Sequence, residues 1–149
     1  MPKTVLILGG TKGLGLALAW EAYYLKYNPI ITGRSAGFPE NLNFPPDSNY
    51  FKLDLSNPES VEHLGCRVPE PFDYIFWVAG NFHRGLLDQM PDDKIDKMIA
   101  THLSGPLRAL QLLQLSLHYT LRHPYHLVTI ASTSSWRVRE NETLYCALK

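Results

Sequence analysis

A short apolar strand pattern, Lys3 to Leu8, passes directly into Gly9-Gly10-Thr11-Lys12-Gly13-Leu14-Gly15 and then into a segment of helical spacing. This junction constrains the chain more than any other feature. A helix leaves its first backbone N–H groups without partners inside the helix, and a glycine-rich turn ahead of it lets an anion approach them. The sequence therefore predicts a nucleotide pyrophosphate at the strand-to-helix turn, with Gly9 taking the tight turn, Gly13 admitting the phosphates and Gly15 letting helix and strand pack closely. No Gly-Lys-Ser/Thr closes the turn, so a mononucleotide P-loop is excluded.

The rest of the chain alternates apolar runs with helix-period segments, the pattern of parallel strands joined by crossover helices. Strands are predicted at Lys3 to Leu8, Pro29 to Thr32, Tyr50 to Leu53, Tyr74 to Val78 and Leu127 to Ala131. The first, fourth and fifths are nearly continuous in apolar residues, as expected for strands buried on both faces. Leu14, Leu18, Ala22 and Leu25 give the first helix an apolar face, Asn57 and Pro58 start a later one, and Gly37 to Asn49 reads as a loop. The longest helix is predicted from Met98 to Arg122. Its stripe is Leu103, Leu107, Leu110, Leu113, Leu117 and Leu121, with Arg108, Gln111, His118 and Arg122 opposite and Pro124 as its stop. The fold class is α/β: a Rossmann-like, doubly wound parallel sheet of about five strands, in a single domain over residues 1–149.

Charge and cysteine content exclude several function classes. The 14 Lys+Arg balance the 14 Asp+Glu in 149 residues, so no broad field attracts nucleic acid or an anionic membrane. Cys66 and Cys146 form no metal-ligand spacing and no disulfide framework, and His118, His123 and His126 read as surface residues, so no metal is expected. Without a leader-like or membrane-spanning apolar run, the expectation is a soluble cytoplasmic protein.

The spacing Gly-x-x-x-Gly-x-Gly resembles that of the short-chain dehydrogenase/reductase family, and further family landmarks follow in order. They are Thr32-Gly33-Arg34 after the second strand, Asp54-Leu55 after the third, Val78-Ala79-Gly80 ending the fourth, Ser132 after the fifth, and Tyr145-Cys146-Ala147-Leu148-Lys149 as Tyr-x-x-x-Lys. The resemblance covers the whole chain. It implies an oxidoreductase that moves hydride between a nicotinamide dinucleotide and a small-molecule carbonyl or alcohol. The cofactor residues it implies are Gly9, Thr11, Lys12, Gly13, Leu14, Gly15, Arg34, Asp54, Leu55, Ala79 and Gly80, with Asp54 on the adenine amino group or, alternatively, a strand-end turn residue.

An acidic side chain at the end of the second strand would hold the adenosine ribose hydroxyls of NAD(H), but Gly33 stands there. Arg34 and Lys12 are placed to meet a 2′-phosphate, which predicts NADP(H) over NAD(H). The alternative is two solvated surface charges. Carbonyl reduction also needs a proton donor, and a free tyrosine, titrating near 10, needs a neighbouring cation. Tyr145 and Lys149, four apart on one helix face, answer that need, and Ser132, thirteen residues before Tyr145, matches the family serine on the substrate oxygen. Thr133, Ser134 and Ser135 are its close competitors.

Two positions depart from the family pattern. Val78 stands in place of the usual asparagine, and His102 stands where an asparagine supports a water-linked proton relay; a histidine can carry protons there, or be a packed helix residue. Trp136-Arg137-Val138-Arg139 borders the substrate region of the family and otherwise reads as an exposed basic loop. Family members continue beyond their Tyr-x-x-x-Lys, so the resemblance implies a domain incomplete at its C-terminus. The fifth strand is then an open edge, and the chain is expected to self-associate, with the Met98 to Arg122 helix as a possible homo-oligomer contact. The rival reading is a truncated dinucleotide-binding or interaction module without catalysis.

Overall fold

The computed structural model describes the chain apart from residues 1, 39–43, 46–48, 65–67, 69–70, 117–124 and 138, and apart from the side chains of 114–116. Its elements are β1 (Thr4–Leu8), α1 (Gly13–Tyr24), β2 (Asn28–Gly33), β3 (Asn49–Lys52), α2 (Pro58–Glu62), β4 (Tyr74–Trp77), α3 (Asp92–Ile99), α4 (Gly105–Ser116), β5 (His126–Thr129) and α5 (Thr143–Ala147). The strands form one parallel sheet in the order β3-β2-β1-β4-β5. Chain order reverses at β1, so the C-terminal ends of β1 and β4 flank a topological switch point, where open α/β sheets bind ligands.

Strand alternation divides the core between the two faces of the sheet. Leu6 and Leu8 of β1 point with Ile30 and Ile75 toward α2 and α4, meeting Val61, Ala109, Leu110 and Leu113. Val5 and Ile7 point the other way, with Ile31, toward Ala19 and Ala22 of α1 and toward Phe44. Each fully buried valine, leucine or isoleucine here contributes about 1.5–3 kcal/mol, and β1 holds four of them, Val5 to Leu8. Asn57 caps α2, its side-chain oxygen accepting from the Glu59 and Ser60 N–H groups ahead of Pro58, as its sequence predicts.

Three expectations need correction. The face of α1 that packs on the sheet is Gly15, Ala19 and Ala22, not the predicted Leu14 and Leu25, which are 50% and 53% exposed. Close packing causes the shift: a Cβ on Gly15 would stand 2.1 Å from the Gly9 carbonyl oxygen, so small residues line the contact and the leucines turn outward. The predicted helix Met98 to Arg122 is not continuous. Helical structure starts at Asp92, and a π-helical segment, Ala100–Ser104, separates α3 from α4.

The predicted leucine stripe divides accordingly. Leu110 and Leu113 are buried, whereas Leu103 and Leu107 are about half exposed beside Ile99. Leu117, Leu121, His118 and Arg122 lie outside the described residues, as does much of the Gly37 to Asn49 loop, whose last residue opens β3. Finally, β5 is exposed at all four residues and sits at the sheet edge. Its apolar run therefore does not mark a strand covered on both faces, while the expected open edge is present.

Candidate functional site

At the C-terminal ends of the strands, the turn after β1 is held from below by a residue to which the motif reading gives no role of its own. Thr32 is buried, and its Oγ1 accepts the Gly9 N–H (3.1 Å) and donates to the Ile7 carbonyl (3.1 Å). The Gly10 N–H donates to the Thr32 carbonyl (2.9 Å). A lone polar residue at the end of an otherwise apolar strand was the available signal. Gly9 has φ +94° and Gly13 φ +52°, both in the region that favours glycine, and no atom lies within 4 Å of where a Gly13 Cβ would be. No side chain caps α1, so its first N–H groups have no capping side chain as a partner. The turn fits a pyrophosphate on these observations.

The second-strand end explains itself sterically. A Cβ at Gly33 would stand 2.4 Å from the Thr11 methyl carbon and 2.9 Å from the Tyr50 hydroxyl, so a larger residue there requires both side chains to move aside. Arg34 and Lys12 are exposed at the rim of the cavity. Asp54 Oδ1 accepts the Ser56 N–H (2.9 Å) and hydroxyl (2.6 Å). Partial burial works against its charge, but these two bonds, with Arg34 and Lys97 nearby, hold its carboxyl below the usual aspartate value.

At Val78, where the family has an asparagine, the strands are joined through the main chain: the Val78 and Ala79 N–H groups both donate to the Leu8 carbonyl, at 3.1 and 2.7 Å. Ser132, after β5, accepts the Ser134 N–H on its Oγ (3.2 Å), while the Ser135 hydroxyl donates to its carbonyl (2.7 Å). Ser132 is set apart from Thr133, Ser134 and Ser135 because it alone of the four lines the cavity.

Tyr145 lies in α5, but Lys149 does not; α5 ends at Ala147, which corrects the expectation of one helix face. The Lys149 ammonium nevertheless returns to within 5.9 Å of the Tyr145 ring centre and donates to the Ile130 carbonyl (3.0 Å). Burial lowers its affinity for a proton. His102, in the π segment, is buried; its Nε2 meets the Asn81 main chain, and its ring stands edge-to-face with Tyr145 at 5.8 Å.

A cavity of about 780 Å³ connects these parts. It is lined by Gly9, Thr11, Lys12, Gly13, Leu14, Arg34, Asp54, Leu55, Ala79 and Gly80, and at its other end by His102, Ser132, Tyr145 and Lys149. Of the predicted residues only Gly15 is off the wall, behind the turn that it lets close. Asn81 and Phe82 also line the cavity; they sit in a loop without periodicity and no sequence pattern marks them. Trp136 is 78% exposed and stands off the cavity wall. Among the described residues there is no cluster suited to a metal ion and no helix long and apolar enough to cross a membrane. Cys66 lies outside the described residues, and Cys146 is a free thiol.

The buried state of His102 has a measurable consequence. Burial depresses its proton affinity, the bond to Asn81 opposes this, and the Lys149 charge adds to the depression. The unfolded chain therefore takes up a proton near the ordinary value of 6.5 before the folded one does. Stability contributed by the neutral ring is complete above that value and is lost as pH falls toward the folded value. Urea unfolding at a series of pH values from 8 to 5 should show stability falling below about pH 6.5. His102→Asn should lose that part of the slope; an identical slope in the variant would assign it elsewhere.

A family model described as short chain dehydrogenase matches residues 3–149. The 3-oxoacyl-[acyl-carrier-protein] reductase MabA of Mycobacterium tuberculosis is 27% identical over 152 residues, covering 99% of this chain and 58% of that protein. The chain thus spans about three fifths of the length of this curated relative. Among solved structures, a short-chain dehydrogenase from Streptomyces avermitilis superposes with a TM-score of 0.88 at 21% identity, over 100% of this chain and 56% of that one. ElxO, solved with NADP bound, gives 0.85 at 24% identity, over 99% and 62%. With the family match running from the first strand to Lys149, the chain belongs to the short chain dehydrogenase family.

Proposed function

We propose that this chain is the cofactor-binding and reacting part of an NADP(H)-dependent oxidoreductase acting on a small-molecule carbonyl or alcohol. The observation that carries the reading is the single cavity that has the glycine turn and Arg34 at one end and Ser132, Tyr145 and Lys149 at the other. The nicotinamide dinucleotide supplies or accepts the hydride. Gly9, Thr11, Gly13 and Leu14 offer the turn to its pyrophosphate, with Gly15 behind them, and Asp54, Leu55, Ala79 and Gly80 line the rest of the trough. Ser132, whose Oγ already accepts one N–H, retains its own proton to donate to the substrate oxygen. Tyr145 gives its phenolic proton to that oxygen as charge develops on it, and the Lys149 ammonium stabilises the resulting tyrosinate.

Arg34 and Lys12 support NADP(H), because both line the same cavity as Gly33, which brings no carboxylate to the end of the second strand. ElxO, a structural neighbour with NADP bound, supports the same choice. The partner is a small molecule rather than nucleic acid or membrane, given zero formal charge, and the cytoplasm suits the free Cys146 thiol. Self-association would use the exposed Ile99, Leu103 and Leu107 on the helical segment.

Calorimetric titration with NADPH and NADH tests the reading. NADPH should bind more tightly, and Arg34→Ala should weaken NADPH by roughly 10- to 100-fold, about 1.5–3 kcal/mol, with little effect on NADH. Equal loss for both cofactors would remove the 2′-phosphate assignment. Binding without turnover on any carbonyl would favour a dinucleotide-binding module instead.

A further inference from the structure

We propose that the loop Asn81–Gly85 is a brace that fixes the orientation of the Tyr145 side chain, with Phe82 as its contact and His102 as its anchor. The proposal rests on the reading of Tyr145 as proton donor and names residues that act through it.

The loop is tied at three points. At its start, His102 Nε2 either accepts the Asn81 N–H (3.0 Å) or donates to the Asn81 carbonyl (2.5 Å), according to its tautomer, so both states hold the same residue of the loop. The imidazole also lies hard against the preceding residue, since a Cβ on Gly80 would stand 2.8 Å from its Cε1. In the middle, the Phe82 ring meets the Tyr145 ring at 5.0 Å and 89°. At its end, the Gly85 N–H donates to the Asn141 carbonyl (2.8 Å), and Asn141, at φ +60°, makes the turn that leads into α5.

Tyr145 is therefore gripped by two rings, Phe82 and His102, each edge-to-face with it and both joined to one loop. Phe82 leaves 55% of its surface exposed, so burial does not account for its place. A phenol has two side-chain torsions, and its oxygen moves several ångströms as they turn; proton transfer needs it within hydrogen-bond reach of one point. The arrangement makes His102 a positioning residue, holding the loop whether or not it also carries protons.

The test uses the full chain with 3-fluorotyrosine in place of tyrosine, the Tyr145 signal being the fluorine resonance that Tyr145→Phe removes. In the otherwise unchanged chain that resonance should be single and displaced from those of exposed tyrosines. Phe82→Ala should move it to the exposed position and, with NADPH and a carbonyl, lower kcat by about tenfold or more at unchanged KM for NADPH. Phe82→Trp should restore both. A resonance unmoved by Phe82→Ala overturns the brace, and so does a moved resonance with intact kcat. If the unsubstituted chain reduces no carbonyl, the oxidoreductase reading fails while the resonance alone still decides whether the loop holds Tyr145.

Discussion

Tyr145→Phe should lower carbonyl reduction by about 10³-fold and leave NADPH affinity within about twofold. The substitution removes one hydroxyl and keeps the ring, so the edge-to-face contacts with Phe82 and His102 and the packing of α5 survive. What disappears is the proton that neutralises the oxygen as hydride reaches the carbonyl carbon. Lys149→Met should produce a loss of similar size, and the double variant should be little worse than either, because the ammonium acts through the phenol. Stopped-flow measurement of NADPH oxidation, alongside calorimetric binding of NADPH, separates the two effects. A Tyr145→Phe protein that keeps more than about a tenth of its turnover would transfer the proton-donor role to another group.

Gly15→Ala has the second large expected effect, on a different link of the argument. The new methyl carbon would stand 2.1 Å from the Gly9 carbonyl oxygen and 3.0 Å from the Gly10 Cα, both main-chain atoms of the turn. Neither can yield without moving α1 off β1 or opening the turn. Destabilisation of about 3 kcal/mol, a Tm lower by roughly 10 °C, and at least 100-fold weaker NADPH binding are expected. Leu14→Ala, one residue earlier at an exposed position, is the matched control and should change stability by less than about 0.5 kcal/mol. Thermal melts and titrations on the two variants together distinguish a packing clash from a general intolerance of the turn; equal behaviour of the pair would refute the close-approach account.

These residues also show what was legible in the chain. The glycine turn, Arg34, Asp54 and Ser132 fall on one cavity because each follows a strand, where spacing in sequence becomes position in space, whereas Lys149 reaches that cavity from beyond the end of α5 and not by helical spacing. The strands themselves were legible from apolar runs to within two residues of their ends. The face of α1 was not, because hydrophobic periodicity selects large residues and this contact selects small ones, Gly15, Ala19 and Ala22. Phe82 was illegible for another reason: a loop has no period, and its role arises only when β4 and α5 are brought together. The open edge at β5 follows from the family resemblance, whose members continue past Tyr-x-x-x-Lys, whereas its apolar composition points the other way.

The π segment Ala100–Ser104 sets the rotational phase between two helices. Met98 before it and Ala109, Leu110 and Leu113 after it are buried, and His102 within it turns toward Asn81 and Tyr145. Each residue of an α-helix turns the chain by about 100°. A π turn holds one residue more than an α turn, so deleting one residue here would let the segment close as ordinary α-helix with α3 and α4 nearly in phase, while changing the direction of the side chains within it, His102 among them. Shortening the stretch by one residue should therefore leave Met98, Ala109 and Leu113 in the core and disturb the ring that meets Asn81 and Tyr145.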